Sequence, residues 1–268
     1  MAIRLTDGSQ FIHIPKTGGS WVSEVLHANG LVAEYLGHKH ADYDLNLFHP
    51  RISPKRVLPT YCKVALNRLE ARFTGKKRPE PRVFRFAFVR HPLSWYESHW
   101  KFMQGLDWID WGVSNSCDDW HPCSILNGLG SPDFNQFIRN VVQVRPGYVS
   151  ELFFAFTKQG IDFIGKNENL RDDLMAVMAI RGLKVDEDAV KKLKRVNESK
   201  VKQDKIQWDP DLRDLVMRLE MPALVHYGYL TPEERDKFGI PHDLATHAAL
   251  SGYQGPAVPH WYPECRGA

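Results

Sequence analysis

The stretch Phe11-Ile12-His13-Ile14-Pro15-Lys16-Thr17-Gly18-Gly19-Ser20-Trp21-Val22 constrains the fold more than any other part of the chain. Phe11 to Ile14 are mostly apolar and suit a buried strand, whereas Trp21, Val22, Val25 and Leu26 recur at helical spacing. Between them, Lys-Thr-Gly-Gly-Ser forms a tight turn. A strand that turns through two glycines into a helix aims backbone N–H groups and the positive end of the helix dipole at one place. Lys16 adds a mobile positive charge there, and Thr17 and Ser20 add hydroxyl donors. The turn is suited to hold an oxyanion, with Lys16, Thr17, Gly18, Gly19, Ser20 and Trp21 as the candidate contacts.

The order of residues narrows the choice of anion. A Walker loop, G-x-x-x-x-G-K-[ST], places its lysine after the glycines. Here Lys16 precedes Gly18 and Gly19, and residues 11 to 17 contain no glycine. Phosphoryl transfer of the nucleotide-kinase type, which also needs magnesium, is thereby disfavoured. A non-catalytic nucleotide-binding protein would keep the anion loop without a catalytic base.

The stretch resembles the 5′-phosphosulfate loop of the sulfotransferases, in the H-I-P-K-T-G-G-[TS] form of the branch that includes the carbohydrate sulfotransferases. The resemblance implies 3′-phosphoadenosine 5′-phosphosulfate (PAPS) as sulfuryl donor, 3′-phosphoadenosine 5′-phosphate (PAP) as product, and no metal. It also implies a second element that binds the 3′-phosphate: a strand ending in arginine, a nearby proline, and a serine eight residues after the arginine. The β-rich run Val83–Val89 is followed by Arg90-His91-Pro92-Leu93-Ser94-Trp95-Tyr96-Glu97-Ser98. Arg90 offers a planar fork of donors to a phosphate, and Pro92 suits the first turn of a helix. Ser98 stands at the expected spacing. Many relatives carry a second arginine where this chain has Trp95, whose ring could pack in the core or against adenine.

Further along, Asp162-Phe163-Ile164-Gly165 and Glu168-Asn169-Leu170 resemble a later element of the same family. Glu168 reads as a capping or pairing residue rather than a catalytic one. The resemblance also implies a loop that closes over the nucleotide near Ser199, Lys200 and Lys202, residues that read equally well as a solvated loop. It covers most of residues 10 to 230 and implies the three-layer P-loop-like sulfotransferase fold. The residues themselves point the same way. Strands alternating with helices, and phosphate sites at strand-to-helix turns, suggest an α/β domain with a mostly parallel central sheet flanked by helices.

At 268 residues, without a linker or repeat, the chain reads as one domain, 1–268. A Trp-rich insert falls at about 105–130 and an irregular tail at about 245–268. The insert's Trp108, Trp111 and Trp120 stand among carboxylates, which suits stacking on a sugar or aromatic acceptor, or equally a satellite core that pins the loop. Apolar faces are expected on a helix begun by Ser131-Pro132, with the serine as cap, and on a helix capped by Asp209 with Leu212, Leu215, Val216 and Leu219 inward. A capping box is expected at Thr231-Pro232-Glu233-Glu234.

Sulfuryl transfer needs a base for the acceptor's proton, and an imidazole of near-neutral pKa suits that role. His40 is the first candidate and His38 the second, in Gly37-His38-Lys39-His40-Ala41. A zinc site from His38, His40 and Asp42 lacks a distant fourth ligand in the sequence. The acceptor is open: a glycan, phenol, peptide or small alcohol. A net charge of +3, with cations spread along the chain, does not indicate nucleic-acid binding. The short polar start before the loop and the lack of a long apolar run lead to the expectation of a soluble, cytoplasmic protein with no membrane partner. Oligomeric state is open. Cys62, Cys117, Cys123 and Cys265 read as free thiols, with Cys117 and Cys123 the pair to test.

Overall fold

The fold was analysed from a computed structural model that describes residues 2–36, 83–110, 121–157, 161–193 and 206–242. His38, His40, Trp111, Cys117, Trp120, Ser199, Lys200, Lys202 and the tail lie outside the described residues. The chain is α/β. Its sheet contains β1 (Ala2–Leu5), β2 (Gln10–Ile12), β3 (Val32–Leu36), β4 (Arg85–Val89) and β5 (Phe163–Lys166), in the order β3-β1-β2-β4-β5.

The expectation of a mostly parallel sheet is corrected. Strands β2, β4 and β5 run parallel, but β1 lies antiparallel to both β2 and β3. The cause is local chemistry in a segment that reads as merely polar. Thr6-Asp7-Gly8-Ser9 is a turn in which the Gly8 N–H donates to Leu5 O (2.9 Å) and Asp7 Oδ1 accepts from both Ser9 N–H and Ser9 Oγ. Gly8 supplies the left-handed φ of 85° that the turn needs. So short a connection can join only antiparallel strands.

Period-two alternation puts side chains of each central strand on both faces of the sheet. Phe11, Phe86 and Phe88 enter one buried cluster with α1 (Gly19–Ala28), while Ile12, Ala87 and Val89 enter another with α2 (Pro92–Gln104). The second cluster also holds α3 (Phe134–Val144), α4 (Tyr148–Phe156), α7 (Pro210–Leu219) and α8 (Met221–His226). The first is completed by α5 (Leu170–Ile180) and by Val190 of α6 (Glu187–Lys192). Helix α9 (Pro232–Phe238) follows α8. Each fully buried Phe or Leu contributes about 1.5–3 kcal/mol, and the two clusters hold the sheet from both faces.

Two local expectations are corrected. Asp133, not Ser131, caps α3 by accepting the Gln136 N–H at 2.6 Å, and Ser131 Oγ accepts the Asp133 N–H instead. The helix starts where Phe134 can be buried, two residues later than the first hydroxyl suggests. On α7, Leu215 is exposed and Met217 takes an inward position beside Leu212 and Val216. The capping box at Thr231 and Glu234 is present at the start of α9.

Glu220 is fully buried beneath α2 and α4. Its Oε1 accepts from Tyr96 OH (2.6 Å) and Val149 N–H (3.1 Å), and its Oε2 accepts from Ser150 N–H and Ser150 Oγ, each at 2.7 Å. It thereby caps the start of α4 from 70 residues away. Burial raises its carboxyl pKa against the pull of these hydrogen bonds. No helix among the described residues is long and apolar enough to cross a membrane.

Candidate functional site

Three cations stand at the carboxyl ends of three adjacent parallel strands: Lys16 beyond β2, Arg90 after β4, and Lys166 closing β5. The carboxyl edge of such strands is where open α/β sheets place ligands. The turn after β2 is built tightly. Lys16 takes a left-handed φ of 63° and Gly18 one of 88°, and Gly18 serves as N-cap of α1 with no side-chain hydrogen bond. The first-turn N–H groups of Gly19, Ser20 and Trp21 therefore have no intrahelical acceptor and lie beside the positive helix end.

Both glycines are required by their surroundings. A Cβ on Gly19 would lie 2.1 Å from His13 Cδ2, and one on Gly18 would lie 2.5 Å from Leu170 Cδ2 and 2.6 Å from Asn167 Nδ2. The His13 ring is itself buried and stacked on Phe11, with centroids 5.9 Å apart. The turn is thus clamped between the β2 side and the start of α5.

The Thr17 side chain turns back into the loop. Thr17 is buried and its hydroxyl donates to Ile14 O at 3.0 Å, which leaves the main chain as its means of serving an anion. Trp21 also packs inward. Its ring is buried in the α1 cluster, with Nε1 donating to Leu193 O at 3.5 Å, so only its backbone faces the turn. Ser20 is half-buried in the first turn of α1.

Arg90 comes to the turn from the neighbouring strand: its Nη1 donates to Lys16 O at 3.5 Å. Helix α2 then begins at Pro92, with His91 Nδ1 accepting the Leu93 N–H. Ser98 lies two turns along it, half-buried. The open question about Trp95 is resolved. Its ring is fully buried, and Nε1 donates to Pro15 O at 2.9 Å. Trp95 is therefore a core residue that holds the turn after β2 down onto α2.

Glu168 accepts from the His91 N–H (2.8 Å, Oε1) and from Tyr229 OH (3.1 Å, Oε2), the pairing role expected of it. Lys166 Nζ donates to Gly228 O at 2.9 Å and lies over the Tyr229 ring. Burial raises the Tyr229 pKa, and the Glu168 carboxylate raises it further. Burial lowers that of His91, partly offset by Glu168 and Glu234. The α2 start, the β5 end and the segment after α8 are thus tied together beside Arg90.

On the other side of the turn, Lys16 Nζ lies over the Phe102 ring, 3.8 Å from its centroid. The flanks of the Trp-rich insert are packed here. Trp108 packs against Phe137 at a tilt and against Gly130, and Cys123 is buried as a free thiol whose pKa burial pushes up to about 12. For Trp108 the satellite-core reading therefore holds. Lys166, Tyr229, His99 and Glu220 escaped sequence reasoning, since each gains its meaning from partners at least 60 residues away or from burial. Among the described residues no His, Cys, Asp and Glu group could hold a metal ion. No family model, curated protein or solved structure matches the chain.

Proposed function

We propose that this protein transfers a sulfuryl group from PAPS to the hydroxyl, or amine, of a carbohydrate or other small acceptor, and that its fold is of the P-loop-like sulfotransferase kind. The observation that carries the reading is the meeting of the two motifs, with Arg90 Nη1 3.5 Å from Lys16 O at the ends of parallel β4 and β2. A helix start without a side-chain cap, glycines pressed against their neighbours and two cations fit a ligand with phosphate and sulfate groups.

The acceptor oxygen attacks sulfur in line while the bond from sulfur to the bridging phosphate oxygen breaks, with its electron pair going to PAP. Lys16 and the N–H groups of residues 17 to 20 neutralise the charge that develops on that oxygen. Arg90 and Ser98 hold the 3′-phosphate. Ser199 and Lys200 close over the nucleotide. The acceptor's proton passes to an imidazole, for which the sequence offers His40 and then His38.

Calorimetric titration with PAP, in parallel with magnesium-ATP, tests the reading. PAP is expected to bind, and Arg90→Ala to weaken it more than tenfold, given the roughly 1.5–3 kcal/mol of a hydrogen bond to a charged group. Binding of magnesium-ATP in place of PAP would put phosphoryl transfer first.

A further inference from the structure

One face of α2 runs along the phosphate turn. Trp95 fixes Pro15 O, and Phe102, two turns on, lies under the Lys16 ammonium. His99 sits between them at i+4 from Trp95, with its ring stacked on the indole at 5.0 Å and 8°. It is 3% exposed, and its Nδ1 is a buried polar atom without a hydrogen-bond partner among the described residues. Such an atom calls for a ligand or ordered water. In the Nε2–H tautomer Nδ1 carries a free lone pair.

We propose that His99, in place of the His40 or His38 that the sequence offers, accepts the proton released from the acceptor hydroxyl, through one bridging water at Nδ1, beside Lys16. This inference rests on the sulfotransferase reading. As the acceptor oxygen bonds to sulfur, its O–H bond breaks. The proton passes by way of the water to His99, while the electron pair of the broken sulfur–oxygen bond leaves with PAP.

The charged and titratable groups around the imidazole suit that task. Lys16 faces it from the turn and His121 from the segment before α3, and Tyr148 borders the Trp95 ring from α4. Burial, then Lys16, then His121 keep the imidazole neutral and its lone pair available. The imidazolium formed would be balanced by negative charge arising on the departing phosphate.

The test uses the full chain and PAP as probe. Imidazole ¹⁵N spectra are recorded against pH with and without saturating PAP. The His99 signal is assigned by its loss in His99→Phe, which keeps a ring on Trp95, or in His99→Gln. The His99 pKa is expected to rise by about one unit or more with PAP, because the 5′-phosphate offsets Lys16. In the same preparations His99→Gln should leave PAP affinity within about twofold and slow PAPS consumption, with 2-naphthol present, about 100-fold. PAP binding with an unmoved His99 titration, or equal PAPS consumption by the two proteins at whatever rate, would overturn the proposal alone. Failure of wild type to bind PAP would overturn it together with the sulfuryl-donor reading, and calorimetry separates the two outcomes.

Discussion

Replacing Glu220 by Gln, a change of one atom, is expected to destabilise the fold severely. Each oxygen of the carboxylate accepts a backbone N–H, Oε1 from Val149 and Oε2 from Ser150. Whichever way the amide is turned, its NH₂ group faces a backbone donor at about the former acceptor's position. One N–H of α4 is then left unsatisfied in the interior, together with either Tyr96 OH or Ser150 Oγ as a displaced partner. An orphaned buried donor costs about 1–3 kcal/mol, so two disrupted groups give about 2–6 kcal/mol. Urea unfolding at neutral pH should show a lower midpoint with an unchanged m-value. A loss below about 1 kcal/mol would refute the reasoning, because it would mean that the α4 start can find other acceptors.

Other perturbations probe the turn and its neighbours. Gly19→Ala forces His13 out of its stack on Phe11 and should cost about 1–3 kcal/mol in urea unfolding, with loss of PAP binding; wild-type stability would show the clamp to be slack. Trp95→Phe keeps most of the ring but strips Pro15 O of its donor, at about 1–3 kcal/mol, and PAP affinity should fall with it. For pH, His99 and His91 both have folded pKa values lowered by burial, so the unfolded chain binds more protons. Their contribution is full above the ordinary 6.5 and is lost as pH falls below it, at up to about 1.4 kcal/mol per pH unit for each histidine. Unfolding of His99→Phe from pH 7 to 5 should show a shallower acid loss than wild type.

Much of the frame was legible because it is written locally. The apolar spacing of Trp21, Val22, Val25 and Leu26 gave α1, and Thr231 with Glu234 gave the capping box. The two glycines and Lys16 marked the turn, and the spacing from Arg90 to Ser98 marked the second element. What stayed hidden depends on distant partners. Strands β1 and β3 are four and five residues long, and their place is set by pairing with each other and with β2. Between Ser131 and Asp133 the cap is decided by where Phe134 meets the core. His99 reads as one more polar residue of α2 until Phe137 and Trp95 enclose it. The sulfuryl-donor contacts proposed at Ser199 and Lys200, and the bases at His40 and His38, fall outside the described residues.

The cap on α4 also has a consequence for biosynthesis. The chain emerges amino end first, and the carboxylate that satisfies Val149 and Ser150 belongs to a residue made 70 positions later. At about 5–20 residues per second, the nascent helix waits roughly 4–14 s for it. During that interval the ribosome-bound chain carries an apolar segment, Tyr148–Phe156, whose first amides have no Glu220 to bind. A chaperone that recognises apolar segments would have access to this one during that interval.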